Sequence, residues 1–152
     1  MQLIIIYTDG SCNYNPGSGG YGFILKYKNY RKEIFQSFKK TTNNRMELLA
    51  IIIALESLNN IKNKIIIYSD SKYIVNAIKK KWLTLWIKKK FKKIKNIDLW
   101  KRFCKVYKKN NIKIIWIKGH SKNLENILCD KLAVNSIKNN LLFIDYGYEN
   151  YI

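Results

Sequence analysis

Two stretches of this chain end alike. LIIIYTD (3–9) and KIIIYSD (64–70) each carry three isoleucines and a tyrosine into a small hydroxyl residue and an aspartate. Runs this rich in β-branched and aromatic residues suit strands buried in the middle of a sheet. Between them lies LLAIIIAL (48–55), apolar on nearly every side of a helix and so suited to a buried one. A strand, a helix and a second strand in that order favour a parallel pair with the helix crossing over one face. That geometry delivers both aspartates to the same edge of the sheet.

The remaining elements follow from pattern. Residues 21–27 and 32–38 read as two further strands joined by a polar turn at 29–30. PGSGG (16–20) reads as the turn between the first two strands. Helices are expected over 43–58, 71–80, 98–108 and 124–138, a fifth strand over 112–117, and a loop over 118–123. The tail from 139 shows no clear period. The class is α/β, with the fourth and fifth strands parallel to the first. No composition break divides the chain, so one domain spanning 1–152 is expected.

Composition excludes several classes. The chain is 47% hydrophobic and 14% aromatic, which is a globular composition and not a disordered one. The start lacks the basic segment and cleavage site of a signal peptide, and the longest apolar run, 48–55, is too short to cross a membrane. Cys12, Cys104 and Cys129 are odd in number and far apart, which argues against a disulfide framework or a zinc site and makes a reducing cytoplasm the expected compartment. The net charge of +19 partly reflects a wealth of Lys, Asn, Ile and Tyr, all served by A/T-rich codons. It still creates a field that attracts polyanions in a salt-dependent way.

In so basic a chain the few acids stand out. Asp9 precedes a glycine and could mark a turn; Asp70 precedes a helix and could cap it. Glu47 shares helical spacing with Ala50, Ile51 and Ala54, and Asp130 shares it with Ile127, Val134 and Ile137, so both fall in apolar stripes unless the helix face is misread. A carboxylate facing a core is costly unless it is paired or bound to a metal. Parallel strands bring Asp9 and Asp70 together, and two packed helices can add Glu47 and Asp130. Four such carboxylates repel one another and need cations; hard oxygen ligands suit Mg²⁺ or Mn²⁺.

The motifs YTDGSCNYNPGSGGYG (7–22), TTNNRMELLA (41–50), YSDSKY (68–73), KNIDLW (95–100) and KGHSKNLENILCDKLA (118–133) occur in this order. Here the chain resembles ribonuclease H type 1, the bacterial ribonuclease HI form, from about residue 3 to residue 134. The resemblance implies an RNase H-like fold: a five-stranded mixed sheet flanked by helices. It implies an endonuclease that hydrolyses the RNA strand of an RNA–DNA hybrid, leaving 5′-phosphate and 3′-hydroxyl ends, with roles in primer removal and R-loop clearance. Two Mg²⁺ ions, with Mn²⁺ able to substitute, would be held by Asp9, Glu47, Asp70 and Asp130, one activating water and one stabilising the leaving oxygen. His120, the only histidine, matches a mobile proton carrier; as a lone loop histidine it could also be mere surface. Gly10, Cys12, Asn15, Asn43 and Asn44 match positions that read the 2′-hydroxyl. Asn43 or Asn44 could instead cap the Glu47 helix, and Asn15 could simply turn the chain. Thr42 and Asn96 match positions that hold a phosphate of the DNA strand. The family expectation is a monomer in the cytoplasm, with no membrane and no obligatory protein partner.

KKKWLTLWIKKKFKKIK (79–95) interleaves lysines with Trp82, Trp86 and Phe91. It resembles the family's basic handle, about 79–96, whose lysines follow phosphates while an aromatic packs on deoxyribose. The two tryptophans share a helix face and could equally pack this segment onto the body; a membrane-surface helix is another reading. Two features depart from the family. The stretch between Phe91 and Asn96 is shorter than in the longer bacterial forms, and Lys72 stands where a glutamine is usual, which would alter a contact to the RNA strand. Two other functions compete with the nuclease: a non-catalytic nucleic-acid binder, and an integrase-like or resolvase-like nuclease acting on DNA.

Overall fold

The computed structural model describes residues 3–58, 63–119, 122–139 and 141–150. Its five strands are β1 (Leu3–Cys12), β2 (Gly17–Tyr27), β3 (Tyr30–Thr41), β4 (Lys64–Ser69) and β5 (Asn111–Trp116), in sheet order β3-β2-β1-β4-β5. The first three form an antiparallel meander. β4 lies parallel to β1, with Ile4 opposite Ile65 and Ile6 opposite Ile67, and β5 lies parallel to β4. The expected mixed sheet and parallel central pair are therefore present.

The long helix α1 (Asn43–Glu56) crosses one face of the sheet. Ile4, Ile6, Phe23, Ile65 and Ile67 meet Met46, Leu48, Ile51 and Ile52 there, all nearly without solvent contact. Thr42 begins the helix, its hydroxyl accepting from the Arg45 N–H at 3.3 Å. The cap is thus Thr42 and neither asparagine. Helices α2 (Lys72–Lys79), α3 (Trp82–Lys88) and α4 (Ile97–Tyr107) follow, and α5 (Leu124–Asn139) covers the opposite face of β1, β2 and β3. No helix among the described residues is long and apolar enough to cross a membrane.

Two expectations are corrected. β2 starts at Gly17, so Gly17, Gly19 and Gly20 pair in the sheet and the turn lies before them. A side chain at Gly20 would meet the Ala133 carbonyl at 2.9 Å, and one at Gly22 the Cβ of Leu132 at 2.7 Å. These glycines let α5 lie close on the strand, an advantage that strand propensity does not register. The next turn is Lys28–Asn29, with Lys28 left-handed at φ 51°, and Tyr30 already opens β3.

The described tail residues, 141–150, dock on the body although their sequence shows no period. Phe143 pairs with Phe38, donating to the Ser37 carbonyl and accepting from the Lys39 N–H, and a short helix α6 (Tyr146–Glu149) follows. Its Asp145 is buried and bound to Arg45 at 2.8 Å; Arg45 in turn holds Asp98 at 2.7 Å. Gly147 is required at this junction, because any Cβ would collide with the Asp98 carboxylate and the Arg45 guanidinium.

Residues 81–96 make a compact excursion with Lys81, Lys90, Phe91, Lys93 and Asn96 all left-handed. Such conformations cost a non-glycine residue about 1 kcal/mol. Packing offsets that cost: Trp86 sets its ring 5.0 Å from that of the buried Trp100, and Trp82 lies 6.4 Å from Trp86.

Candidate active site

The strand ends deliver the carboxylates as the sequence implied. Asp9 lies near the end of β1, Asp70 immediately follows β4, and Glu47 projects from the first turns of α1. One carboxylate oxygen of each lies within 4.8 Å of the others. Asp130 lines the same cleft of about 420 Å³ from α5, outside this tight group. Its side chain is exposed, so the expectation that it lies in an apolar stripe is corrected. The sheet-facing stripe of α5 is instead Asn126, Cys129, Ala133, Ser136 and Ile137, one position off.

The cluster is electrostatically strained. Burial, the neighbouring Asp70 charge and the more distant Asp130 push the Asp9 carboxyl up to about 7 against the lowering effect of its bonds to Glu47 and the Gly10 N–H. Glu47, wholly enclosed, is pushed well above the usual carboxylate range by burial and by the charges of Asp9 and Asp70. Such groups share protons and titrate as a unit. Two residues that line this cleft carry a buried oxygen, Glu47 Oε2 and Asn126 Oδ1, that accepts no hydrogen bond. Repelling carboxylates and unmet acceptors suit a hydrated divalent cation, which brings positive charge and O–H donors together.

Gly10 sits against the helix. A Cβ there would meet the Glu47 backbone nitrogen at 2.5 Å, so this glycine lets α1 approach β1 and sets Glu47 beside Asp9. The Asn15 carboxamide oxygen accepts from the Asn43 N–H at 3.1 Å, joining two of the positions matched to RNA recognition. Cys12 turns its thiol onto the Tyr14 carbonyl at 2.8 Å, and burial pushes the thiol up, so its sulfur is neither free nor activated. Thr42, Asn44 and Asn96 share a second cleft, of about 700 Å³, with Asn15, Arg45 and Tyr148. Asn96 is held there through its oxygen by Arg45 and through its amide by the Tyr73 hydroxyl, both at 3.4 Å.

Lys72 is exposed, its ammonium 5.3 Å from the ring centre of Trp116, whose indole N–H donates to the Asp70 carbonyl. Trp82 and Trp86 are half-buried, Trp82 tilted against Trp86 and Trp86 edge-on to Trp100, so packing accounts for much of their position. His120 lies outside the described residues. Sequence reasoning missed Asn126 and Arg45, which line the two clefts, and Asp145, which holds Arg45. Only Asn126 had a readable signal, since it lies four residues before Asp130 and one helical turn away.

A ribonuclease H family model matches residues 1–138. Among curated relatives, the ribonuclease HI of Campylobacter jejuni is 53% identical over 133 residues, covering 88% of this chain and 90% of the relative. The ribonuclease H of Rippkaea orientalis is 44% identical over 154 residues, covering 98% and 94%. Among solved structures, LC9-RNase H1, a type 1 RNase H with the type 2 active-site motif, superposes with a TM-score of 0.83 at 26% identity, covering 99% of this chain and 80% of that one. LC11-RNase H1, solved in complex with an RNA/DNA hybrid, gives 0.61 at 25% identity, covering 89% and 96%.

Proposed function

The chain belongs to the ribonuclease H family and is a ribonuclease H enzyme, and on that basis we propose that it hydrolyses the RNA strand of RNA–DNA hybrids with two divalent cations, leaving 5′-phosphate and 3′-hydroxyl ends. Primer removal and R-loop clearance in the cytoplasm are the corresponding roles, carried out by a monomer with one catalytic domain. The observation that carries this reading is the convergence of Asp9, Glu47 and Asp70 within 4.8 Å, with Asp130 lining the same cleft.

In this reading the four carboxylates hold Mg²⁺, or Mn²⁺ in its place. When bound, the cations supply the charge that activates a water and stabilises the leaving 3′ oxygen. Asp9 and Asp70, on the ends of adjacent strands, are held rigid as metal geometry requires. Gly10, Cys12, Asn15, Asn43 and Asn44 meet the RNA strand near its 2′-hydroxyls. Thr42 and Asn96 hold a phosphate of the DNA strand across the second cleft. His120 carries a proton during turnover. Lys72, parked over Trp116, contacts the RNA strand.

Residues 79–96 act as the basic handle, with Trp82 and Trp86 beside the DNA strand. Charge allocation supports this. Outside the carboxylate cluster, Glu33 and Glu125 pair with Arg31, Glu56 with Arg102, and Asp98 and Asp145 with Arg45. Of the ion pairs among the described residues only Lys26–Glu125, at 3.7 Å, involves a lysine. Among the described residues the lysine charge is therefore almost wholly outside ion pairs and open to phosphates.

The direct test is a gel of end-labelled RNA–DNA hybrid, single-stranded RNA and duplex DNA, each with Mg²⁺ and with EDTA. Cleavage confined to the RNA of the hybrid and stopped by EDTA is the expected result; equal cutting of duplex DNA, or none of the hybrid, would reject the reading. A second measurement addresses the handle. Replacing Lys88, Lys89 and Lys90 by alanine should raise KM while leaving kcat nearly unchanged. For every phosphate that no longer has a lysine beside it, the plot of log KM against log salt should flatten by about 0.9. An unaltered salt slope would remove these lysines from the substrate interface.

A further inference from the structure

We propose that Asn126 is a positioning residue of the cation site, its carboxamide oxygen accepting hydrogen bonds from water carried by the bound cation. The proposal rests on the cation-binding reading above. Asn126 is 3% exposed on α5, and it lines the cleft that contains Asp9, Glu47, Asp70 and Asp130. It lies one helical turn from Asp130, so the two side chains emerge on neighbouring parts of one face. Its own N–H is held by the Asn123 carboxamide oxygen at 3.0 Å, which fixes the first turn of the helix from which it projects.

The buried oxygen at Asn126 has no donor. Such an atom weakens the fold that contains it. Ionised carboxylates cannot relieve it, because they only accept. Glu47 Oε2 shares the cleft and the deficit. A cation alone satisfies an anionic oxygen such as that of Glu47, whereas the neutral amide oxygen needs an O–H or N–H group. Mg²⁺ and Mn²⁺ in carboxylate sites retain water molecules whose hydrogens point outward. An amide acceptor beside the carboxylates receives those hydrogens and fixes the orientation of the water. Groups that orient a metal's ligands in this way typically contribute a factor of 10 to 100 in metal affinity.

The test is calorimetric titration of the purified protein with MnCl₂, together with melting of the metal-free protein in EDTA. The variants are Asn126→Leu, Asn126→Asp and, as a control for the cation site itself, Asp9→Asn. Asn126→Leu should weaken Mn²⁺ binding about tenfold, with the metal-free melting temperature unchanged or higher, because the unmet acceptor is gone. Asn126→Asp, nearly the same shape, should tighten Mn²⁺ binding and lower the metal-free melting temperature by adding a fifth charge; it covers the case in which leucine is not accommodated. Wild-type Mn²⁺ affinity in Asn126→Leu, or unaltered Mn²⁺ affinity in Asn126→Asp, would overturn the proposal while leaving the cation site intact. Absence of Mn²⁺ binding by the wild-type protein would reject the cation reading and the proposal together.

Discussion

Replacing Asp9 by asparagine is expected to abolish hybrid cleavage and, in the same molecule, to raise the melting temperature of the metal-free protein. Loss of a cation ligand removes several kcal/mol of transition-state stabilisation, so activity with Mg²⁺ should fall about a thousandfold or more. The stability effect has the opposite sign. An Asp9 carboxyl raised from its ordinary 3.8 to about 7 binds its proton more tightly in the folded state than in the unfolded one. Ionising it therefore opposes folding. The penalty is absent below about pH 4, grows as pH rises between 4 and 7, and is fully present above 7. Asparagine, always neutral, should stabilise the metal-free protein by about 2 kcal/mol at pH 8, roughly 5 °C for a chain of this size. The gain should vanish near pH 4, and adding Mg²⁺ should reverse the order by stabilising the wild type alone. Melting curves at pH 5, 6.5 and 8, with EDTA and with Mg²⁺, check each part. A variant that melts below the wild type in EDTA at pH 8 contradicts the repulsion on which the site's design rests.

The second large effect lies outside the carboxylate cluster. Arg45, 2% exposed, spends its guanidinium on two carboxylates: its Nε and Nη2 donate to Asp145, and its Nη1 and Nη2 donate to Asp98. Arg45→Met keeps most of the volume but strands both acids. Breaking one side of a buried pair costs about 3–5 kcal/mol, so a drop in melting temperature of roughly 10 °C or more is expected. The effect should shrink in acid. Burial alone would raise the Asp98 carboxyl, but the bonds and charge of Arg45 outweigh it and hold it below its ordinary value. The stabilisation it reports is present above about pH 4 and is lost as pH falls further. Asp145→Asn should give a smaller loss of the same kind, since the amide still accepts from Arg45. A melting temperature for Arg45→Met within two degrees of wild type would show that the network is replaceable by simple packing.

How much could be read in advance depended on where the partners lie in the chain. The IIIY[TS]D echo pointed to the central strands, their parallel sense and two of the clustered carboxylates, because one short pattern encodes strand, edge and acid together. Glu47 was legible because helical periodicity places it among Ala50, Ile51 and Ala54, and it is indeed buried. Asp130 was assigned to the right cleft through a mistaken face. Asn126 was passed over because a neutral amide among carboxylates carries no charge signal. The Arg45–Asp145 pair spans 100 residues, so no local pattern announces it, and a tail rich in Asn, Tyr and Gly has no period of its own. Gly17–Gly20 looked like a turn because strand propensity registers neither the approach of α5 nor the pairing across β1 and β3.

That tail has one more consequence. β3 is one of the two outer strands of the sheet, and an outer strand offers a row of unpaired amides and carbonyls to any passing chain. Phe143 occupies that row at Ser37 and Lys39, where β3 is least charged on its buried side. Farther along, Arg31, Lys32 and Glu33 put charge on the open edge. The two devices together guard this edge against strand addition by a second molecule. A net charge of +19 attracts polyanions, and copies gathered on one polyanion would meet at high local density. A closed β3 edge removes one place at which such copies would fuse into a common sheet.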